Sequence, residues 1–414
     1  MTICARTRCT TRSSPPLPAS TAPRLLETEA RGALARARAL PIDELLELID
    51  KSGLRGRGGA GYPFAEKVRA VRRNIDGGPV HVIANAYDAD PGSPLARTLI
   101  TKNPANVVAG IAIAAHAVGA TRAYLYMHPE AVDARGAIER ALGESEDVEI
   151  EIALGPGGFM GGEESALLAV LESRRAMARQ RPPYPASQGL RLRPTLIASV
   201  ETLAWLPIIV AEQARASTKL AALTGAVLRP GVYEVALGSQ LREVLAEAGG
   251  PSGKLKGLHV GGPTGGILAA NGLDTRFDYD DLRVAGTHMG SAQIRAIPVG
   301  TCIVNEAAKL FAYLSKESCA ICVPCRVGTK RVQAILEHTY SGLGRDSDLG
   351  WLDELGTHME RFSLCGFGIT APSILRTTMR EFADDYRIHI QEKRCPEGVC
   401  EPIRSRRYET MVQP

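Results

Sequence analysis

The feature of this sequence that most constrains its fold is a run of three cysteines, Cys319, Cys322 and Cys325. This C-x2-C-x2-C spacing places three thiolates on one tight loop, and Cys365 in SLCGFG can supply a fourth from another element. An iron–sulfur cubane needs four converging thiolates and often takes three from such a run, whereas zinc more often uses two separated pairs. The spacing therefore predicts a [4Fe-4S] cluster, with zinc and a chance grouping as weaker alternatives.

A second set of metal-binding residue types remains: Cys302, His389, Cys395 and Cys400. Three thiolates and one imidazole suit a tetrahedral zinc ion. In the alternative interpretation, Cys302 is a core residue on an apolar helix and the two later cysteines bind nothing. The residue types predict a zinc site but leave that alternative open.

Cysteine usage and composition indicate the class of protein. Seven of the nine cysteines lie after residue 300, which is typical of metal binding in a reducing, cytoplasmic compartment. Hydrophobic residues make up 45% and charged residues 23%, which are ordinary globular values. The net charge of +4 includes no long single-sign run, and the apolar stretches are too short to span a bilayer. We therefore expect neither nucleic-acid binding nor direct membrane insertion.

The order of predicted elements divides the chain into five parts. Apolar strands alternate with helices over residues 41–217, which predicts an α/β domain with a parallel sheet. Short β runs around Arg-Pro-Gly and Gly-rich turns predict a small β-rich domain over residues 218–300. Helical periodicity returns over residues 301–390, and residues 391–414 form a tail with a cysteine pair. Residues 1–40 are expected to be a disordered or variable extension.

The Gly-rich stretch GLRGRGGAGYP contains a G-x-G-x-x-G match at Gly56, Gly58 and Gly61. Such loops bring backbone amides close to phosphate, because glycine has no side chain. A dinucleotide fingerprint requires a strand before the glycines, but here a helix precedes them. The helix before the glycines therefore argues against an ordinary Rossmann site, and a plain glycine turn remains an alternative.

Taken together, the motifs resemble one family. SGLRGRGGAGYP, NAYDADPG, GGFMGGEESALLAVLESRR, RPPYPASQG, SCAICVPCRVGT and SLCGFG follow one another between about Leu45 and Cys400. In this order they are similar to the NADH-binding flavoprotein subunit of respiratory complex I and its relatives in NAD-linked hydrogenases and formate dehydrogenases. The resemblance implies a Rossmann-like flavin domain, a β-grasp domain of the soluble-ligand-binding type and a helical-bundle iron–sulfur domain.

The resemblance also implies cofactors and site residues. Hydride chemistry would belong to FMN and NAD(H), and one-electron transfer to the [4Fe-4S] cluster, so that no side chain need act as a nucleophile. For the two Glu residues of GGEES, acidic residues in a helix first turn are the alternative. The cofactor-binding residues that the resemblance implies are Gly58, Gly59, Ala60, Gly61, Tyr62, Lys67, Asn85, Asp90, Gly162, Glu163, Glu164, Tyr184 and Ser199.

Several positions depart from the family pattern. The family usually has Asp where this chain has Tyr87, and two Asn where it has Ala198 and Ser199. These departures motivate an alternative function, an iron–sulfur relay or scaffold subunit without flavin or nucleotide. A zinc-binding interaction module that uses all the cysteines is a second alternative, but it leaves the Gly-rich and GGEES motifs unexplained.

The resemblance implies partners as well. Hydrogenase-type relatives often carry further cluster domains at either end, and we expect partner subunits to supply them here. A thioredoxin-like [2Fe-2S] subunit and a further redox catalytic subunit are the expected partners of this electron-input subunit in an NAD(P)-linked oxidoreductase complex.

Overall fold

The computed structural model describes residues 25–142 and 148–401. Seventeen helices and nine strands lie within these residues. The first part comprises α1 (Ala33–Ala39), α2 (Ile42–Lys51), α3 (Phe64–Arg72), β1 (His81–Ala86), α4 (Leu95–Lys102), α5 (Pro104–Val118), β2 (Arg122–Met127), α6 (Val132–Leu142), β3 (Glu149–Leu154), α7 (Glu164–Leu171), α8 (Pro185–Gln188), β4 (Thr195–Ser199) and α9 (Val200–Glu212). The middle part comprises β5 (Thr218–Gly225), β6 (Gly231–Ala236), α10 (Leu241–Glu247), β7 (Leu255–Val260), β8 (Gly266–Ala269), α11 (Tyr279–Val284) and β9 (Gln293–Pro298). The last part comprises α12 (Ile303–Glu317), α13 (Val323–His338), α14 (Asp348–Phe362), α15 (Gly366–Thr370), α16 (Ser373–Glu381) and α17 (Ala383–Gln391).

The first sheet is parallel, as the alternation of strands and helices predicts. Its strand order is β3-β2-β1-β4. The chain passes from β1 to β3 in one direction and then places β4 on the other side of β1. In such open sheets, ligands bind outside the carboxyl ends of the strands where the order reverses, which here is the point between β1 and β4.

The residues before α2 pack onto this first part. Leu25, Ala33 and Ala37 are buried in its core, and the amides of Leu25 and Leu26 donate to the carboxylate of Glu234. Residues 25–40 of the expected disordered or variable extension are therefore ordered, since their apolar side chains are buried against elements that follow much later in the chain. The remainder of that extension, residues 1–24, lies outside the described residues.

The second sheet has five strands in the order β6-β5-β9-β7-β8. Strands β5 and β9 are parallel, whereas the other neighbours are antiparallel. The two short β runs predicted around Arg-Pro-Gly are the β5–β6 pair. A small mixed sheet that carries its own helices agrees with the predicted β-grasp domain.

Helices α12 to α17 form the predicted helical bundle. Its core includes Cys325, Cys365 and Phe311, and it continues into Met160 and Ala166 of the first part. The bundle and the α/β part therefore share one apolar core at this point. Within the described residues, no helix combines the length and the apolar character needed to cross a membrane.

A buried ion pair joins the first and middle parts. Lys219, at the start of β5, is paired with Glu201 in α9, and their side chains are only 1% and 5% exposed. The same carboxylate accepts a 2.9 Å hydrogen bond from the amide of Leu220. Burial lowers the pKa of Lys219, while the charge of Glu201 opposes that shift. Lys219 therefore depends on Glu201 as its counter-ion.

We expect Glu201→Ala to destabilise the protein by about 3–5 kcal/mol, because it leaves the Lys219 ammonium buried without its counter-ion. The thermal unfolding midpoint, followed by circular dichroism, measures the effect. Glu47→Ala is the control, since it removes an exposed ion pair with Lys51 that contributes well under about 1 kcal/mol. Equal shifts in the two variants would show that the buried pair does not hold the parts together.

A candidate site at the sheet edge and the cysteine bundle

The candidate site begins at the carboxyl edge of the first sheet. Asn85 in β1 lies directly opposite Ser199, the last residue of β4, in the strand pairing. Both residues therefore face the point at which the strand order reverses, where parallel sheets of this kind bind ligands. The structure brings together two predicted site residues that are 114 positions apart (199 − 85) in the chain.

The Gly-rich loop lies against the end of β4. A Cβ placed on Gly58 would be 3.8 Å from the Cβ of Ser199, so the loop backbone is close to the sheet edge. Gly59 and Gly61 adopt φ values of 107° and 67°, and a Cβ on either would collide with Gly290 or Tyr279 of the middle part. Glycine is thus required at Gly59 and Gly61 for close approach to the middle part, while Gly58 is exposed beside Ser199. This packing fits a cofactor cradle better than a plain turn.

The GGEES segment forms a third side of the candidate site, after the sheet edge and the Gly-rich loop. Asn85 Nδ2 donates a 3.0 Å hydrogen bond to the carbonyl of Gly162. Glu163 is the N-cap of α7 and accepts 2.9 Å bonds from the amides of Ser165 and Ala166. Glu164 pairs with Lys67 of α3. Glu163 therefore caps α7, and Glu164 lies in its first turn as the alternative supposes, but Glu164 is also paired with a side chain from another element.

Arg181 is a site residue that sequence reasoning missed. Its guanidinium pairs with Glu163 and also with Glu164, at 3.3 Å for the second carboxylate. Although burial favours the neutral form of Glu164, the charges of Lys67 and Arg181 hold its pKa below the usual value. Two cations and two carboxylates thus form a compact polar network beside the sheet edge.

The remaining predicted residues lie in different environments. Tyr62 and Tyr184 are 56% and 59% exposed, as aromatic surface for a ligand requires. Ala60 lies within the Gly-rich loop. Asp90 is buried and accepts hydrogen bonds from the Ser291 hydroxyl and the Gly92 amide, and burial raises its pKa. Its bond to Ser291 places Asp90 at the junction with the middle part.

Tyr87 fills space next to the GGEES segment. It is buried and stacks on Tyr126, with ring centroids 5.2 Å apart and an interplanar angle of 17°. A Cβ on Gly161 would lie 2.3 Å from the Tyr87 hydroxyl oxygen. Burial raises the pKa of Tyr87 to about 12, so it stays neutral. A neutral ring therefore stands where the family usually has a carboxylate.

The four predicted cluster cysteines come from two helix starts. Cys322 is the N-cap of α13, Cys325 lies in its first turn, and Cys365 is the N-cap of α15. Ala320, between Cys319 and Cys322, has a left-handed φ of 63° that bends the loop sharply. A Cβ on Gly368 would be 3.0 Å from the Cβ of Cys325, which brings the α15 start close to α13.

The chemistry of these thiols fits a bound metal cluster. Burial, together with the charges of Cys322, Cys365 and Cys319, raises the pKa of Cys325 to about 12. Burial raises the pKa of Cys365 to about 11, and Glu163 adds to the effect. Cys325 therefore lies within electrostatic range of the other three cysteines. Thiolates, which are the metal-binding form, need cations such as iron in this buried setting.

Aromatic packing joins the sheet-edge site to the cysteines. Phe159 lies in the turn Phe159–Gly162 that leads into GGEES, and its ring centroid is 5.6 Å from that of Phe367. Phe367 follows Cys365 by two residues. The Phe159 amide also donates a 2.7 Å bond to Glu317 at the end of α12. Sequence reasoning missed Phe159 as well, although GGFMGGEES contains it.

The second predicted metal set converges in the structure. The ligand atoms of all four residues lie within 4.8 Å of one another: Cys302, His389, Cys395 and Cys400. Cys302 is also a buried residue of the helical core, as the alternative interpretation supposes, and its Sγ is 3.4 Å from His389 Nε2.

Three family models match the chain in the order of its three parts. Residues 49–207 match the Nuo51 FMN-binding domain, residues 220–268 the SLBB domain, and residues 305–389 the NADH-ubiquinone oxidoreductase-F iron-sulfur binding region. The Gly-rich loop and the GGEES segment fall within the first match and the four cluster cysteines within the third. The predicted fold class and cofactor domains are confirmed.

Two relatives and one solved structure align with most of the chain. The NADP-reducing hydrogenase subunit HndC of Solidesulfovibrio fructosivorans is 35% identical over 89% of this chain and 80% of its own length. An F-type subunit of NADH-quinone oxidoreductase in Rhizobium meliloti is 35% identical over 86% of this chain and 90% of its own. A solved NAD⁺-reducing [NiFe]-hydrogenase chain superposes with a TM-score of 0.80 at 33% identity, over 88% of this chain and 66% of that one. The chain belongs to the family of NADH-quinone oxidoreductase F subunits and their counterparts in NAD(P)-reducing hydrogenases.

Proposed function

We propose that this chain is the electron-input subunit of an NAD(P)-linked oxidoreductase complex. When bound, FMN exchanges a hydride with NADH and releases electrons singly, and the [4Fe-4S] cluster carries single electrons onward. The direction of flow in the cell depends on the partner, since the named relatives include hydrogenases that reduce NAD⁺ or NADP.

The observation that supports this proposal most strongly is that one segment contacts both the sheet-edge site and the cysteine bundle. The segment Phe159–Gly162 and Glu163 line the sheet edge next to Asn85. The same segment contacts Phe367, beside Cys365. A ligand in the crevice and a cluster on the cysteines would therefore be separated by a few side chains. Short separation is what one-electron transfer between two cofactors requires.

The residues at the sheet edge would position the flavin and the nucleotide. Gly58 and Ala60 are exposed on the Gly-rich loop, so their backbone amides would be available to a phosphate group beside Ser199. Asn85 keeps the GGEES segment in place through the Gly162 carbonyl. Lys67 and Arg181 neutralise Glu163 and Glu164, so that the crevice can receive an anionic nucleotide without strong repulsion. Tyr62 and Tyr184 offer exposed ring faces for stacking.

A second candidate function is an iron–sulfur relay subunit that lacks bound flavin. The neutral Tyr87 ring and the small Ala198, which is buried at the end of β4, favour it. Both residues replace groups that could hydrogen-bond a cofactor. The cysteines of the cluster are unaffected by these substitutions, so the relay function does not depend on them.

The finer assignments are also part of the proposal. Residues 41–217 would bind FMN and NADH, residues 301–390 would hold the cluster, and residues 218–300 would connect the two. The relatives are subunits of larger redox complexes. A thioredoxin-like [2Fe-2S] subunit and a catalytic subunit are the partners we propose, in the cytoplasm, with any membrane association supplied by those partners.

Arg181→Ala is expected to raise the KM for NADH by about tenfold to a hundredfold, because it leaves Glu163 without its counter-ion where an anion binds, while Glu164 keeps Lys67. Hydrogen bonds to charged groups are worth about 1.5–3 kcal/mol, and each 1.4 kcal/mol is about tenfold. Steady-state oxidation of NADH with an artificial electron acceptor measures this KM, and the flavin content is determined in parallel. Arg174→Ala is the control, since Arg174 is exposed and pairs with Glu172. A KM equal to that of the control would exclude Arg181 from the nucleotide site.

Cys365→Ser is expected to remove most of the iron and leave NADH-dependent bleaching of the flavin intact, because the sheet-edge residues are unchanged. Iron and sulfide analysis and the flavin absorbance before and after NADH provide the measurement. Ser363→Ala is the matched control two residues away and should keep about four irons, the content of one cubane. Full iron content in Cys365→Ser would contradict its assignment as the fourth ligand.

A further inference from the structure

A tyrosine of the middle part lies beneath the Gly-rich loop. Tyr279 is the first residue of α11, and it is only 2% exposed. Its hydroxyl donates a 3.2 Å hydrogen bond to the carbonyl of Gly56, where the glycine motif begins. A Cβ on Gly61, where the motif ends, would lie 2.5 Å from Cδ1 of the same ring. One side chain from outside the first part therefore contacts both ends of the motif.

Two arginines of the loop bind this tyrosine and its neighbour. The Arg55 guanidinium lies 4.6 Å from the centre of the Tyr279 ring, at a distance where a cation is attracted to an aromatic face. Arg55 also donates to the Gly61 carbonyl at 2.6 Å and pairs with Asp280 at 3.0 Å. Arg57 is buried and donates a 3.4 Å hydrogen bond to the Tyr279 hydroxyl. The start of the loop is thus wrapped around the Tyr279 ring.

The hydroxyl of Tyr279 acts as both acceptor and donor. It accepts from Arg57 and donates to the carbonyl of Gly56. Burial raises the pKa of Tyr279, so the phenol keeps the proton that it donates. Phenylalanine at this position would retain the ring contacts but leave the Gly56 carbonyl without this bond. The hydroxyl can therefore be tested separately from the ring.

The shape of the loop determines how well it can bind an anion. Backbone amides bind a phosphate group most strongly where several N–H groups point at one place. Gly58 and Ala60 are exposed, and Gly58 lies beside Ser199. Gly56 and Gly61, which contact Tyr279, stand on either side of this exposed pair in the sequence. Tyr279 thus supports the loop from within the protein while the two residues remain open to a ligand.

We propose that Tyr279 is a positioning residue for the flavin, because it holds the Gly-rich loop in the shape that receives the FMN phosphate. Tyr279 would act only through the loop and would not touch the cofactor itself. The middle part would then contribute to cofactor affinity as well as connect the other two parts. The role rests on the proposed function, since it requires that FMN occupy the crevice beside Ser199.

A comparison of FMN with riboflavin tests the role, because riboflavin lacks the phosphate group. In full-length protein from which flavin has been removed, Tyr279→Phe should raise the Kd of FMN by about threefold to tenfold, the effect of one or two lost hydrogen bonds. The Kd of riboflavin should stay unchanged. Quenching of flavin fluorescence measures both constants.

Tyr233→Phe is the matched control for this comparison. The Tyr233 hydroxyl donates a 2.7 Å hydrogen bond to the Arg229 carbonyl, so the variant loses a similar bond within the middle part. We expect it to bind FMN as the wild-type protein does. An unchanged Kd of FMN in Tyr279→Phe, or an equal loss of affinity for FMN and riboflavin, would overturn the positioning role.

Hydrogen exchange measures the loop without any flavin. The Gly56 amide donates a 2.7 Å bond to the Tyr62 carbonyl, which closes the loop. Tyr279→Phe should accelerate exchange of the amides in residues 54–64, as followed by mass spectrometry, and Tyr233→Phe should not. Wild-type protein that binds FMN, with unchanged FMN affinity and loop exchange in Tyr279→Phe, would refute the positioning role alone. Wild-type protein that binds no FMN would refute the proposed flavin function and this role with it.

Discussion

The packing of the segment from Gly157 to Glu164 between the parallel sheet and the cysteine bundle is the constraint on which the rest of the structure depends. At one end the Phe159 ring contacts Phe367 and Tyr313, and at the other Asn85 binds the Gly162 carbonyl. The Phe159 contacts hold one end of the segment to the bundle, and the Asn85 bond holds the other end to the sheet, so the segment sets the distance between the two sites. A flavin-type crevice and a cluster are thereby fixed at short range by ordinary core packing.

Electrostatics determine what this crevice can accept. Two carboxylates at the start of α7 would repel a nucleotide, but Lys67 and Arg181 come from other elements to neutralise them. The network is partly buried, so its charges are less screened than surface pairs are. Tyr87 packs against Gly161 and Gly162 of the same segment and places a neutral ring where the family resemblance implies a carboxylate. The balance of these two effects determines whether the crevice binds flavin tightly or weakly.

Local patterns were sufficient to predict much of this structure, whereas contacts distant in sequence were not. The apolar run VHVIANA predicted strand β1, and the cysteine spacing predicted the cluster loop. In contrast, Leu25 and Ala37 are ordinary apolar residues in sequence and are buried only by elements that follow much later. The pairing of Arg181 with Glu163 and Glu164 could not be inferred from their spacing in the sequence. The hydrogen bond from Ser291 to Asp90 could not be inferred either, because it joins residues of two different parts. Residues Gly58, Asn85 and Ser199 were assigned by family resemblance, and the structure explains their proximity through the β1–β4 pairing.

The most direct test of the central claim is the response of the anaerobically purified wild-type protein to NADH, followed by absorption and electron paramagnetic resonance with flavin and metal content known. We predict about one FMN and about four cluster irons per chain, bleaching of the flavin band by NADH, and the signal of a reduced [4Fe-4S] cluster. A protein with its irons but without flavin, and without any spectral change on adding NADH, would contradict the electron-input function and leave an iron–sulfur relay in its place.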